Sequence, residues 1–311
     1  MKTSCLRHCI AAFSCLFVLT FASGCKQRPG SADIEGHRKE IEEWREQRLT
    51  RLQRDDGWLT LAGLFWLKEG ENRFGTDSTN VIVLPRGTGP SVAGSIWLDK
   101  GLTRLVSQVE SKVSYRDSTV TALSMINDAD KAGSTIVSLG TVSFYVIKRG
   151  NQIGVRVKDK ENPARLHFAG LEYFPIDLKW RVEATFVPYV PPKQIEIVDM
   201  VGITETSACP GSLKFELDGK QYTIDPVIER GSEDKLFLML ADETNRKETY
   251  AVGRQLYTPL PGADNKVIID FNKAYNWPCV FTPYATCPIA PRQNHLALRI
   301  EAGEKMYKGH E

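Results

Sequence analysis

The sequence predicts a mainly β protein, an N-terminal helix followed by two antiparallel β-sandwich or barrel-like subdomains. Three observations carry this. Beyond residue 56 the apolar runs are short, alternating and rich in β-branched or aromatic residues, with Gly, Asp and Asn between them. Helical spacing is sustained only once, over 33–55. A proline-rich segment, PYVPP at 188–192, interrupts the strand series. The chain divides accordingly into a leader (1–24), a linker (25–32), a helix (33–55), a first β-rich subdomain (56–190) and a second (191–311). That length supplies two hydrophobic cores without help from disulfides.

The leader has Lys2 and Arg7, then an apolar stretch over 10–21 that is too short to span a bilayer, then Ala22, Ser23 and Gly24 before Cys25. It resembles a bacterial lipoprotein signal. The resemblance implies cleavage before Cys25 and acylation of that residue. At roughly 0.8 kcal/mol per buried methylene, two or more acyl chains would hold the protein stably on a bilayer. Lys26 resembles sorting to the outer membrane or cell surface. The full chain has 40 basic and 38 acidic residues. Losing Lys2 and Arg7 with the leader makes the mature chain neutral, and no Lys/Arg run marks a nucleic-acid binder.

In the helix, Ile34, Ile41, Trp44, Arg45, Arg48 and Leu52 fall near one face, and Ser31 or Asp33 can cap its start. Charges of both signs fill the remaining surface, which suits packing on the protein body more than on a membrane. Strands are expected over 58–67, 80–84, 94–98, 102–106, 112–115, 135–138, 142–148 and 153–157, with hairpin turns at 99–101 and 149–151. A second series covers 178–186, 194–198, 213–217, 221–224, 236–240, 249–255, 266–271 and 295–300.

The stretch DFNKAYNWPCVFTPYATCP at 270–288 concentrates the candidate chemistry. Pro278, Pro283 and Pro288 exclude a regular helix or central strand, so a structured loop is expected. Asp270 ends an apolar run and needs donors, Arg254 among them, because an unpaired buried charge costs several kcal/mol. Cys279 and Cys287 are candidates for a local disulfide in an exported protein, leaving Cys209 free.

Two resemblances follow from these pieces. The run GENRFGTD at 70–77 ahead of VIVL at 81–84 resembles the opening of forkhead-associated domains, although Thr76 and PSVAG at 90–94 depart from that family's binding residues. DGWLTLAGLFWLKEGENRFG at 56–75, ETYAVGRQL at 248–256 and the 270–288 stretch with Asn294, Ala302, Gly303 and Glu304 resemble the bacterial domain of unknown function 1684. Trp277 and His295 stand where that family's pattern favours Pro and Arg. The resemblance implies no activity.

Four chemistries were weighed. Cys279 with His295 would be a thiol nucleophile and its base. Cys279, Cys287 and His295 match no zinc spacing, so no metal and no cofactor is expected. No nucleophile elbow, phosphate loop or dinucleotide fingerprint occurs. Asp270 and Glu304 with Arg254 would make a carboxylate site, against which stands a structural Arg254–Asp270 pair. The expected role is ligand binding or structural work in the cell envelope, with an envelope glycan or small molecule as ligand and Trp277 as an exposed stacking platform. A hydrolase-type enzyme around 270–287 is the runner-up, its pocket lined by Arg254, Asp270, Asn272, Asn276, Cys279, Tyr284, Cys287 and Glu304.

Overall fold

The computed structural model describes residues 31–309, so the expected leader and acylated Cys25 lie outside the described residues. Helix α1 (Ser31–Gln53) buries His37, Ile41, Arg48 and Leu52 along a single stripe, with half-buried Trp44 and Arg45 in the turn between Ile41 and Arg48. Ile34, expected on that stripe, is exposed, and His37 takes the place one turn before Ile41. Half of the stripe is polar, so the helix docks through buried pairs. His37 Nε2 meets Asp270 Oδ2 at 2.7 Å, and Arg48 Nε donates to Glu304 Oε1 at 2.8 Å. Hydrogen bonds to charged groups contribute about 1.5–3 kcal/mol each. The helix therefore seats on residues near the far end of the sequence.

The first β unit contains β1 (Leu61–Trp66), β2 (Gly70–Gly75), β3 (Ile82–Val83), β4 (Gly94–Asp99), β5 (Leu102–Ser107), β6 (Ser114–Tyr115), β7 (Ser118–Thr119), β8 (Ala122–Met125), β9 (Ile136–Leu139), β10 (Val142–Arg149) and β11 (Gln152–Asp159). They form two sheets, ordered β1-β11-β10-β9-β6-β7 and β3-β2-β4-β5-β8. Alternation places Phe74, Ile96 and Leu105 of one sheet against Phe144, Val155 and Val157 of the other, which makes a sandwich core. Strand β2 lies outside the expected strands, in the 70–77 run. Its Asn72 is buried, and its amide donates to the carbonyls of Lys68 and Ile96, so a polar residue is tolerated there.

After a short helix α2 (Pro163–Leu166), the second unit contains β12 (Arg181–Val198), β13 (Thr204–Leu217), β14 (Lys220–Ile224), β15 (Lys235–Leu240), β16 (Arg254–Pro259), β17 (Lys266–Asp270) and β18 (Tyr275–Asn276). Sheets β14-β13-β12-β17 and β15-β16-β18 enclose a second core around Val182, Phe215, Leu238 and Ile269. Strand β15 is buried on both faces: Leu236, Leu238 and Leu240 enter that core, while Phe237 and Met239 enter a third cluster with Trp277 and Cys287. The 190/191 boundary falls inside β12. Prolines there remove donors and break the register with β13 between Pro188 and Lys193, yet the strand resumes beyond them. The expected strand at 295–300 is instead an irregular segment joined by one bridge, Ala241 to His295, although Leu296 and Ile300 are buried.

Candidate functional site

The eight candidate residues do not converge on one pocket. Arg254 is fully buried and donates to Asp242 Oδ2 at 2.7 Å and to the carbonyls of Ile300 at 2.9 Å and Ala302. Asp270 accepts from Asn272 N at 3.0 Å and meets His37. The Arg254–Asp270 pair read from the sequence is thus replaced by two separate pairs. Asn272 exchanges hydrogen bonds with the backbone of Asp177, and Asn276 joins the backbone of Lys305 to Glu304, which also receives Arg48. These side chains tie the C-terminal segment and the helix to the second unit. Tyr284 is half-buried beside the Trp277 cluster.

Trp277 corrects the stacking-platform expectation. It is 4% exposed and meets Phe237 edge-to-face at 5.8 Å, because burying the indole is worth more than presenting it to solvent.

The Cys279–Cys287 disulfide is absent from the structure, and both residues, like Cys209, are free. The Cys279 thiol turns to Ala285 O at 3.3 Å, while Cys279 N donates to Cys287 Sγ at 3.1 Å. Interaction with the Cys287 thiol, aided by Arg156, holds the Cys279 thiol below its ordinary pKa. Burial pushes Cys287 up, and Cys209 up to about 11. Limiting iodoacetamide on the folded, reduced protein should therefore alkylate Cys279 before the other two, read by peptide mass mapping. Equal labelling of Cys279 and Cys287 would contradict this ordering. Among the described residues no cluster of three His, Cys, Asp or Glu side chains could hold a metal. His295 Nε2 instead meets Ala290 O at 3.0 Å.

The sequence reading missed a concavity beside the 270–288 loop. A cavity of about 660 Å³ lies where the end of α1, the outer face of β10 and β11, strand β16 and the 277–288 loop meet. Six cations line it, Arg48, Arg51, Arg54, Arg149, Arg156 and Lys158, against two carboxylates, Asp56 and Glu229. Strand alternation builds the β wall. Val155 and Val157 point into the sandwich core, so Arg156 and Lys158 point out, and Tyr145 stands opposite Arg156 in the β10–β11 register. The 270–288 loop contributes Trp277, Pro278 and residues 285–288, so Cys287 alone of the eight candidates lines this space.

Arg156 is the unusual member. It is 3% exposed, and among the described residues it makes no ion pair and its Nε has no hydrogen-bond partner. Its other nitrogens reach only Tyr145 Oη and Thr286 Oγ1, both at 3.4 Å, with Trp58 stacked 5.4 Å from the guanidinium. Nearby Arg149 is already paired with Asp128 at 2.8 Å. Burial lowers the Lys158 pKa, and its ammonium donates to Asp56 O. On the facing wall Tyr257 donates to Glu229, and burial followed by that bond raises its pKa. Burial likewise raises Tyr275 to about 12, so the tyrosine hydroxyls remain neutral donors and acceptors at physiological pH.

This arrangement defines a mainly β protein whose N-terminal helix closes a cationic, tyrosine-walled cavity between two sandwiches. Residues 166–305 match the family model described as protein of unknown function (DUF1684). No curated protein matches. An uncharacterised protein of Haloarcula marismortui, solved by solution NMR, is 27% identical over 45% of this chain and 78% of its own, with a TM-score of 0.39. A forkhead-associated domain studied for phosphothreonine-dependent interactions is 16% identical over 30% of this chain and 92% of its own, with a TM-score of 0.22.

Proposed function

We propose that the protein is a cell-envelope lipoprotein, held on the outer membrane or cell surface through acylated Cys25, whose folded part binds a small anionic ligand in the cavity around Arg156. One observation carries the binding reading: Arg156, a residue 3% exposed whose guanidinium meets no carboxylate among the described residues, stands on the wall of a roomy cavity. Buried charges are paired in stable proteins, and a missing partner points to a ligand that supplies one. Arg, Lys and hydroxyl donors together suit a carboxylate or phosphate, for which a planar guanidinium offers a two-pronged contact. Export would also place Cys279 and Cys287 where thiols oxidise, and closing them would stiffen the loop that forms one wall.

Two measurements test this. Calorimetric titration with galacturonate and with inorganic phosphate should show saturable binding that weakens as salt rises. No binding of either anion would remove the reading. The intact mass of protein extracted from membranes should equal the chain from Cys25 onward plus acyl chains. An unmodified Cys25, or a retained leader, would refute the anchor.

A further inference from the structure

The cavity is not closed at its ends. On the helix side it shares Arg51, Tyr257 and Tyr275 with a second cavity of about 650 Å³ that also includes Trp44, Lys235 and Lys273. On the opposite side it shares Arg149, Glu229, Thr286 and Pro288 with a third of about 620 Å³. Through these shared walls the three cavities adjoin one another. Charge distinguishes the two arms. The third cavity sets Asp128, Asp199, Glu205 and Glu229 against Lys148, Arg149 and Arg230, whereas the second sets Arg51, Lys235 and Lys273 against Asp234 alone, so the acids prevail in one arm and the cations in the other. A polyanion leaving the central cavity is therefore drawn along the Trp44 arm and turned back from the Glu205 arm.

The aromatic groups constrain the ligand further. Tyr257 has Phe237 stacked 4.7 Å from its ring, and Tyr275 has the Arg48 guanidinium 4.6 Å from its own. Tyr275 also meets the Trp44 ring at 5.8 Å, tilted by 56°, so Tyr257 is the platform that offers one face, not a slot between two rings. A planar base that stacks on both sides gains little here. A sugar ring, apolar on one face and hydroxylated on the other, matches such a platform with Glu229, Gln255 and Thr286 available to its hydroxyls.

Resting on the anion-binding reading above, we infer that the ligand is an acidic oligosaccharide, with one uronate carboxylate at Arg156 and further residues running past Tyr257 and Tyr275 toward Trp44 and Lys235. Each added ring on that arm brings contacts to an already tethered chain, so affinity rises with length.

The test is titration of the full chain with galacturonate and its dimer, trimer and tetramer, with a neutral galactose tetramer and uridine monophosphate as controls. The tetramer should bind at least ~10-fold tighter than the monomer, a gain that linked contacts readily supply. The neutral tetramer should not bind. Trp44→Ala and, independently, Lys235→Ala should shrink the gain with length while the thermal transition persists. Equal affinity for monomer and tetramer would overturn the extended groove and leave the central anion site standing. Tighter binding of uridine monophosphate than of any uronate would overturn the sugar assignment. Silence toward every uronate and toward phosphate would remove the anion reading itself.

Discussion

Replacing Arg156 by methionine is expected to abolish anion binding without destabilising the protein. Methionine keeps much of the volume beside Trp58 and removes only the charge. Truncating one partner of a buried charge pair costs about 2–5 kcal/mol of affinity, which is roughly 30-fold to several thousand-fold in Kd. The free protein should respond in the opposite sense. Arg156, at 3% exposure with no carboxylate among the described residues, recovers only part of its desolvation cost from two long hydrogen bonds and the Trp58 ring, so its removal should leave the urea midpoint unchanged or raise it. Opposite signs for binding and stability distinguish a ligand-binding arginine from a structural one. If R156M lowers both, Arg156 is part of the scaffold and the binding proposal fails.

Replacing Arg254 by methionine should have the largest effect on stability. This side chain is buried even more deeply than Arg156, and although its Nε also has no partner, its terminal nitrogens meet Asp242 at 2.7 Å and three carbonyls of the 300–304 segment. Losing it leaves the Asp242 carboxylate uncompensated in the core, which costs about 3–5 kcal/mol. It also releases the segment that presents Glu304 to Arg48, so the helix should loosen with it. Arg254→Lys should rescue little, because a point charge cannot serve carbonyls and a carboxylate spread around a planar fork. Equilibrium urea denaturation reads the loss. A change below about 1 kcal/mol would show that the network is dispensable.

These two arginines also show what the sequence discloses. The sandwich strands were legible because period-two alternation is local: Val155 and Val157, or Val182 and Ala184, announce an inward face without knowledge of the partner sheet. The same alternation put Tyr145, Arg156 and Lys158 on the outward face, where charge ordinarily means solvent. Nothing nearby in sequence says that the 285–288 loop and the end of α1 cover that face. Their separation from Arg156 exceeds one hundred residues in each direction. The 270–288 stretch stands out in the sequence, but its polar residues mostly hold backbone. Asp270, Asn272 and Asn276 satisfy helix ends and loop amides, and a carboxamide assigned to such work looks in sequence like one awaiting a ligand. His37 was missed for a related reason, since its partner Asp270 lies 233 residues away.

The seating of α1 has a geometric consequence. The helix meets the cavity at Arg48, Arg51 and Arg54, near its C-terminal end, and runs from there back to Ser31. At 1.5 Å per residue, that interval spans about 30 Å. His37 and Arg48 are each fastened to the body, so this length behaves as a rigid strut. A chain tethered ahead of Ser31 would therefore hold its central cavity about 30 Å along the helix from that residue, with the Trp44 arm pointing back toward the tethered end.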